Sequence, residues 1–349
     1  MMSYSILKAD LKKNRDDIVA LLKRNFIDVP DERYRWIYEE NPSGPASCWV
    51  AKKEDNVVGV TALFPRKILM DGTPLLAGIA GDFSVDKGHR SLGPALLLQK
   101  AAISECREGK FIILYGFPNK QSELVLLRAA YRILGDVLRM TKLLESYHQI
   151  KKVIDIPLIT RMISKPVDLI MRSTPKEKYY NNSNQYSCEV LSFFDHRFDT
   201  LWEKASSRFS IIGERSSSYL NWRYNRSPHH DYSIFALIHK EDGSIFGYIV
   251  FHYDTEARTY IDDLLAIDME ETLEVLLSEF ISFQRKEKIN SISIRYTGAN
   301  ALVTKLKEFG FVLRGKEGRM VVYSSPDSPF LPSLLAKDNW FLLPGDNDT

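Results

Sequence analysis

The chain of 349 residues carries the same sequence pattern twice, in residues 34–42 and again in residues 220–228. A tryptophan, a tyrosine and a proline stand at identical positions in the two segments: Trp36, Tyr38 and Pro42, and Trp222, Tyr224 and Pro228. Both segments continue into a strand–turn–strand pattern with Glu-Asp in the turn. Repetition over this span indicates a duplicated domain, and the length fits roughly two domains of ~150 residues.

The two halves also predict the same order of helices and strands. In the first half we expect helices over 15–26, 32–39, 94–107 and 122–134, and strands over 4–8, 48–52, 57–69, 76–85, 111–115 and 137–143. In the second half we expect helices near 198, 217, 269–286 and 299–309, and strands near 234, 245–251, 259–266, 291–295 and 312–323. This order predicts an α/β fold of the α+β kind, with a mixed central sheet flanked by helices in each half. We place the first domain at 1–145, a linker at 146–186 and the second domain at 187–349.

Composition excludes several classes of protein. Apolar residues make up 44% and charged residues 26% of the chain, as in an ordinary globular protein. The net charge of +2 creates no strong field for nucleic acid, and no run of about 18 apolar residues is present to span a bilayer. Three separated cysteines and seven histidines without an H-x-x-x-H spacing argue against disulfides and against a metal site. Residues 1–14 lack the apolar core of a signal peptide, so we expect a cytoplasmic protein.

Residues 81–100 predict an anion site at the point where a strand turns into a helix. Phe83 and Val85 belong to the strand, and a polar turn follows at residues 86–88. The chain then reads Arg90, Ser91, Leu92, Gly93, Pro94 and Ala95 before a run of good helix formers. The first N–H groups of a helix have no partner within it and lie at the positive end of its dipole. Gly93 has no side chain to hold a phosphate away, although an ordinary strand–turn–helix connection is the alternative.

This segment resembles motif A of the GNAT superfamily of acyl-CoA-dependent N-acetyltransferases. In that motif a strand ending near a valine is followed by [Q/R]-x-x-G-x-[G/A], whose amides hold the pyrophosphate of acetyl-CoA. Arg90, Gly93 and Ala95 fill the three defined positions, and Val85 stands at the end of the strand. Pro94 departs from the plainest form because it removes one N–H group. The resemblance implies acetyl-CoA as co-substrate, bound by Phe83, Val85, residues 90–95 and Asn119.

A second resemblance to GNAT enzymes lies downstream. Asn119 follows the strand predicted at 111–115, and Tyr131 stands four residues before Gly135 near the end of the next predicted helix. In the family an asparagine and a tyrosine in these places lie at the acyl-CoA, and the tyrosine hydroxyl is near the sulfur. The resemblance implies that Tyr131 is the general acid that protonates the leaving thiolate, with packing at a helix end as the alternative. We include Asn119 among the catalytic residues.

Acyl transfer to an amine also needs a base and a polarised thioester carbonyl. Asp82 lies three residues before Val85 on the predicted strand and is the candidate base, unless it is simply a hydrogen-bonded or solvent-facing strand residue. Backbone N–H groups freed where this strand leaves its neighbour are the candidates for the carbonyl. The repeated helices border the acceptor site in GNAT folds, so we expect either acceptor contacts or core packing from these aromatic and basic residues: Trp36, Tyr38, Trp222, Arg223 and Tyr224.

The second half lacks the features that would bind an acyl donor. Residues 261–270 contain no R-x-x-G-x-A, and the carboxylates of Asp268, Glu270 and Glu271 would repel a pyrophosphate. Leu306 stands four residues before Gly310, where the first half has Tyr131 before Gly135. We therefore expect two tandem GNAT-like domains, of which the second forms a wall of the acceptor pocket and stabilises the first.

The linker and the tail suggest the partners. Residues 151–180 hold seven Lys/Arg against three Asp/Glu, which fits a solvated linker packing one apolar face on a domain, or else contact with a membrane surface or with the CoA phosphates. Residues 340–348 and the L-G-P-A variant of motif A resemble tandem GNAT proteins associated with bacterial surface-polysaccharide synthesis. That resemblance implies a primary amine of an amino sugar, linked to a nucleotide, as acceptor. The alternatives are a Fem-like aminoacyl transferase that uses aminoacyl-tRNA, and a non-catalytic acyl-CoA-binding protein.

Overall fold

A computed structural model describes residues 4–26, 29–90, 92–151, 154, 156–173, 176 and 185–348. The first repeat contains β1 (Ser5–Lys8), α1 (Arg15–Asn25), a π-helix at Arg35–Glu39, β2 (Ser47–Lys53), β3 (Asn56–Met70), β4 (Thr73–Val85), α2 (Leu92–Arg107), β5 (Ile113–Gly116), α3 (Lys120–Arg128) and β6 (Arg132–Leu143). Two helices follow, α4 (Tyr147–Lys151) and α5 (Pro157–Ser173). The expected order of elements in this half is confirmed.

The second repeat has the same order of elements, with a short strand and a short helix added before its π-helix. It contains β7 (Tyr186–Leu191), α6 (His196–Ser206), β8 (Ile211–Gly213), α7 (Ser217–Leu220), a π-helix at Asn221–Asn225, β9 (Ser233–His239), β10 (Ile245–Tyr253), β11 (Arg258–Ala266), α8 (Glu271–Lys286), β12 (Ser291–Gly298), α9 (Asn300–Glu308) and β13 (Val312–Tyr323). A C-terminal segment adds α10 (Leu331–Leu334) and β14 (Trp340–Leu342). The α/β class, with a mixed sheet flanked by helices, is confirmed.

The sequence predicts one sheet in each half. The strands of the described residues instead form one continuous sheet. Its order is β1-β2-β3-β4-β5-β13-β6-β12-β11-β10-β9-β7. The two repeats exchange their closing strands: β6 lies between β13 and β12, while β13 lies between β5 and β6. Because each repeat adds its closing strand to the other, the sheet has no free edge where the two repeats meet.

The C-terminal segment lies between the two repeats. β14 pairs with β12 and β8, and β8 in turn pairs with β3 of the first repeat. After β14, the buried carboxylate of Asp346 binds Arg66 of the first repeat at 2.8 Å and Arg215 of the second at 2.9 Å. Asp263 also binds Arg215 at 2.9 Å, so the buried charges compensate each other. This segment therefore connects the two repeats by strand pairing and by ion pairs.

Several predicted boundaries differ from the structure. The helix expected at 122–134 ends at Arg128, because Ala130 adopts a left-handed conformation (φ 73°) that an α-helix cannot contain. The following strand begins at Arg132 and not at residue 137. Much of the linker expected at 146–186 is helical, in α4 and α5, and α5 continues through Pro166. Residues 177–184 of this linker lie outside the described residues.

Candidate active site

A gap between two parallel strands forms the candidate site. β4 and β5 pair only over Ala77–Ile79 and Ile113–Tyr115, and the strands then separate. Gly116 marks the separation, since a Cβ atom there would lie 2.8 Å from the carbonyl oxygen of Ala80. The gap opens into a cavity of about 340 Å³ lined on one side by residues 80–83 of β4 and on the other by residues 117–119 after β5. Beyond Ile79, no strand of the described residues pairs with β4 on the β5 side.

Asp82 is held in this cavity by an irregularity of β4. The pairing with β3 shifts between Ala62↔Gly81 and Val60↔Ser84, and Asp82 adopts a left-handed conformation (φ 46°) in this bulge. Its Oδ2 accepts hydrogen bonds from the Arg33 guanidinium at 2.7 Å and from the Tyr38 hydroxyl at 2.8 Å. The bulge and the ion pair together fix a buried carboxylate at the cavity wall.

Asn119 caps the helix that borders the cavity. Its Oδ1 accepts hydrogen bonds from the backbone N–H groups of Gln121 at 3.0 Å and Ser122 at 2.9 Å, and from the Ser122 hydroxyl at 2.8 Å. This is the bonding of a helix N-cap residue, and it fixes the start of α3 against the gap. Asn119 also lines the cavity, and its roles in acyl-CoA binding and in catalysis stay predictions.

The predicted pyrophosphate turn leads into α2. The Arg90 side chain folds back, donating from Nε to the Val85 carbonyl at 3.0 Å and from Nη2 to Asn25 at 3.0 Å. Gly93 is exposed in the first turn of this 16-residue helix, whereas Pro94 and Ala95 are buried. Ser91 and the side chain of Leu92 lie outside the described residues.

These residues fit a phosphate-bearing acyl carrier. A glycine is exposed at the N-terminal end of a long helix, and Lys87 and Arg90 are exposed just before it. Asp86, the acidic residue of the turn itself, is already bound to Arg24 at 2.9 Å. The turn therefore presents N–H groups and positive charge.

Tyr131 lies after α3, not within it. Its ring is buried in an apolar cluster with Val85, Ala95 and Leu126. The hydroxyl has no hydrogen-bond partner among the described residues and is not part of the described cavity wall. Burial raises the pKa of the Tyr131 phenol, so it is protonated at neutral pH.

The backbone shows which residues of the two repeats correspond here. The N–H of Tyr131 bonds the carbonyl of Leu126 at 3.0 Å, and the N–H of Phe311 bonds the carbonyl of Leu306 at 3.0 Å. Tyr131 is therefore the counterpart of Phe311, and the sequence-based pairing of Tyr131 with Leu306 is wrong. The counterpart of Leu306 is Leu126, whose side chain lines the cavity.

The predicted acceptor residues lie at the contact between the repeats. The five side chains are at most 5% exposed, and they sit on the two π-helices: Trp36, Tyr38, Trp222, Arg223 and Tyr224. None of them belongs to the described wall of the cavity around Asp82. Tyr38 instead supports Asp82, and Arg223 donates from Nε to the Gly345 carbonyl at 3.0 Å. Their burial favours packing, and direct contact with an acceptor stays a prediction.

Sequence reasoning missed three ionisable residues of the cavity: Arg33, His229 and Asp348. The Nε2 atom of His229 is buried without a hydrogen-bond partner among the described residues. Burial, followed by repulsion from Arg33 and Arg223, lowers the pKa of His229 to about 4. Burial, and then the charge of Asp82, raises the pKa of the Asp348 carboxyl. Their positions in the sequence give no sign that these residues meet, because the fold brings them together from three distant parts of the chain.

A second cavity of about 390 Å³ lies in the other repeat and shares His229 with the first. His252 Nδ1 is 2.6 Å from Asp262 Oδ2, and the His252 ring stacks on His230 with centroids 4.0 Å apart. Arg295 also lines this cavity and a third one of about 220 Å³, which reaches Phe117 of the first cavity. The three cavities are thus neighbours along one side of the sheet.

Three solved structures with a similar fold carry names that describe acyltransferases. The fold resembles a probable N-acyltransferase from Enterococcus faecalis (TM-score 0.66, 11% identity, covering 92% of this chain and 72% of that one). It also resembles a GCN5-related N-acetyltransferase from Anabaena variabilis (TM-score 0.65, 16% identity, 92% and 72%). A third is the N-myristoyltransferase of Saccharomyces cerevisiae with bound myristoyl-CoA (TM-score 0.53, 12% identity, 93% and 79%). At these identities the likeness shows the fold.

The family comparison covers the first repeat. Residues 8–132 match the family model of an acetyltransferase (GNAT) domain, and this stretch includes the cavity residues of β4, the α2 turn and Asn119. Residues 8–132 therefore resemble a GNAT acetyltransferase domain, and this match supports an acyltransferase. A comparison with curated protein sequences finds no match. No helix of the described residues has the length and apolar character needed to cross a membrane.

Proposed function

We propose that this protein is an N-acetyltransferase that moves the acetyl group of acetyl-CoA to the primary amine of an amino sugar. The observation that carries the proposal is the cavity between β4 and β5, which has a fixed carboxylate, Asp82, on its wall. The N-terminus of α2 follows β4 directly, so an acyl carrier held there by its pyrophosphate can extend into the gap. We place this reaction in the cytoplasm.

The acyl donor is positioned by backbone groups in this proposal. Amides of the first turn of α2 bind the pyrophosphate, with Gly93 allowing close approach. The β4 backbone beyond Ile79 faces the gap without a β5 partner, and its N–H groups stabilise the oxygen of the thioester carbonyl. The cavities adjoin, so donor and acceptor are bound at the same time. The acetyl group then passes directly from the donor to the acceptor.

The proton balance assigns a role to each side chain. The amine nitrogen attacks the thioester carbon, a C–N bond forms, and the C–S bond breaks to release the CoA thiolate. The proton lost by the amine goes to Asp82, directly or through the neutral imidazole of His229, whose Nε2 is free to accept it. Tyr131 donates its phenolic proton to the thiolate, and its hydroxyl has no competing partner among the described residues.

The acceptor is assigned to the second cavity. Its wall combines the stacked rings of His230 and His252 with the Arg295 guanidinium, a combination suited to a ring that carries an anionic group. A nucleotide-linked amino sugar has both features. His229 borders both cavities, so an amine reaching past it would meet the thioester.

The experiment is a screen for thiol release from acetyl-CoA. The acceptors are nucleotide-linked amino sugars, free amino sugars, polyamines, amino acids and peptides, each tested with the wild-type chain and with Asp82→Asn. Thiol release with an amino sugar, lost in Asp82→Asn, supports the proposal. Acetyl-CoA binding without release on any acceptor would favour the non-catalytic alternative, and transfer from aminoacyl-tRNA alone would favour the Fem-like one.

A further inference from the structure

The outer face of α5 is apolar and exposed. Three large side chains one or more turns apart are about 70% exposed: Leu158 (72%), Met162 (69%) and Leu169 (69%). Ile159 and Ile163 extend the same face at 41% and 38% exposure. Positions 158, 162 and 169 fall within about 40° of one another around a helix, so these side chains form one continuous strip.

The opposite face of α5 attaches the helix to the protein. Asp168 Oδ1 accepts a hydrogen bond from the backbone N–H of Ser146 at 2.7 Å, and the Ser146 hydroxyl donates to the Ser164 carbonyl at 3.3 Å. Ser164 is buried. The helix is therefore oriented with its polar side toward the protein and its apolar side outward, the reverse of an ordinary surface helix.

The charge around this face is positive. Lys165 on α5 and Lys151 at the end of α4 are exposed. In the sequence, residues 151–180 hold seven Lys/Arg against three Asp/Glu, and Lys176 among them is ion-paired with Glu274 and Glu308. The acidic residue of α5, Asp168, points inward to Ser146. An apolar strip bordered by lysines is the composition of helices that lie in the interface of anionic membranes.

We propose that α5 docks the protein on the surface of an anionic phospholipid bilayer. The 17-residue helix, about 25 Å long at ~1.5 Å per residue, would lie parallel to the membrane with its leucine and methionine side chains among the acyl chains. Lys151 and Lys165 would meet the anionic headgroups. A second copy of the chain is a poorer occupant, because pairing two such faces would bring the two basic segments against each other.

The test is co-sedimentation of the full-length protein with lipid vesicles. Vesicles of equimolar phosphatidylcholine and phosphatidylglycerol should carry the protein down, and vesicles of phosphatidylcholine alone should carry down much less. Leu158→Glu combined with Leu169→Glu should weaken vesicle binding at least about 100-fold, because two leucine side chains that would be buried among the acyl chains are replaced. Lys165→Glu should weaken binding to the anionic vesicles by roughly tenfold and have little effect with neutral ones.

The matched control combines Val190→Glu with Phe193→Glu, which places the same two charges at exposed apolar side chains outside α5. It should bind vesicles as the wild type does, and the thermal shift with acetyl-CoA should persist in every variant that is folded. Equal sedimentation of the wild type and the Leu158/Leu169 variant would overturn the proposal. So would a dimer in analytical ultracentrifugation that these substitutions dissociate without any vesicle binding, since the face would then belong to a second copy.

Discussion

Trp36 and Trp222 hydrogen-bond each other reciprocally. The indole N–H of Trp36 donates to the carbonyl of Trp222 at 2.8 Å, and the indole N–H of Trp222 donates to the carbonyl of Trp36 at 3.0 Å. The two rings stack with centroids 5.0 Å apart. Equivalent residues of a duplicated sequence thus meet across a local twofold relationship, so the repeated motif holds the two repeats together.

Trp36→Phe and Trp222→Phe should each lower the free energy of unfolding by about 1–3 kcal/mol, because each leaves one buried carbonyl without its donor. The measurement is equilibrium denaturation, with the half-buried Trp202→Phe as control. The double variant should lose less than the sum of the single losses, since the two bonds belong to one contact. Strict additivity would show that the two tryptophans do not act together.

Gly93→Glu should abolish the rise in melting temperature caused by acetyl-CoA. The new carboxylate would occupy the first turn of α2 and repel the pyrophosphate. Differential scanning fluorimetry measures the shift. Gly315→Glu is the control, because Gly315 has open space around its Cβ position and lies in the other repeat. A melting-temperature shift that persists in Gly93→Glu would show that the donor binds elsewhere.

Asp82→Asn should reduce kcat/KM by about 10²- to 10⁴-fold, the range of a positioned acid–base group. The amide keeps the size of the carboxyl group and can still accept from Tyr38, while it loses the charge that Arg33 neutralises. Isothermal titration with CoA should show unchanged donor affinity. A variant with full turnover would exclude Asp82 as the base.

Tyr131→Phe should lower turnover while leaving CoA affinity unchanged, if its hydroxyl protonates the thiolate. The stability of the variant should change by less than about 0.5 kcal/mol, because the hydroxyl makes no hydrogen bond among the described residues. Turnover is measured by thiol release, and stability by denaturation. Unchanged turnover would show that Tyr131 contributes only to packing.

His229 should make stability depend on pH between about 6.5 and about 4. In this window the unfolded chain binds a proton at His229 and the folded chain does not, so stability falls as the pH is lowered. Above this window both states are neutral and the effect vanishes. Lowering the pH from 7 to 5 should therefore destabilise the wild type more than it destabilises His229→Asn. His196→Asn, at an exposed position, is the control, and parallel pH profiles for wild type and His229→Asn would contradict the assignment.

Local sequence was enough to predict most elements of each repeat and the turn into α2. Strands near β4 and helices near α2 follow from apolar periodicity, and the exposed Gly93 follows from its place at a helix start. The end of α3 was missed because Ala130 gives no warning of a left-handed conformation, unlike Gly310 at the same place in the second repeat.

Patterns within short segments were enough to predict the repeated motif, most of the order of helices and strands, and the resemblance of the first repeat to an acetyltransferase. The pairing of strands across the repeats, the bonds between the repeated tryptophans, and the meeting of Arg33, His229 and Asp348 with Asp82 around one cavity are visible only in the folded chain. Residues so far apart in the chain have no local signal that links them. Their proximity arises only when the whole sheet forms and the C-terminal segment lies between its two halves.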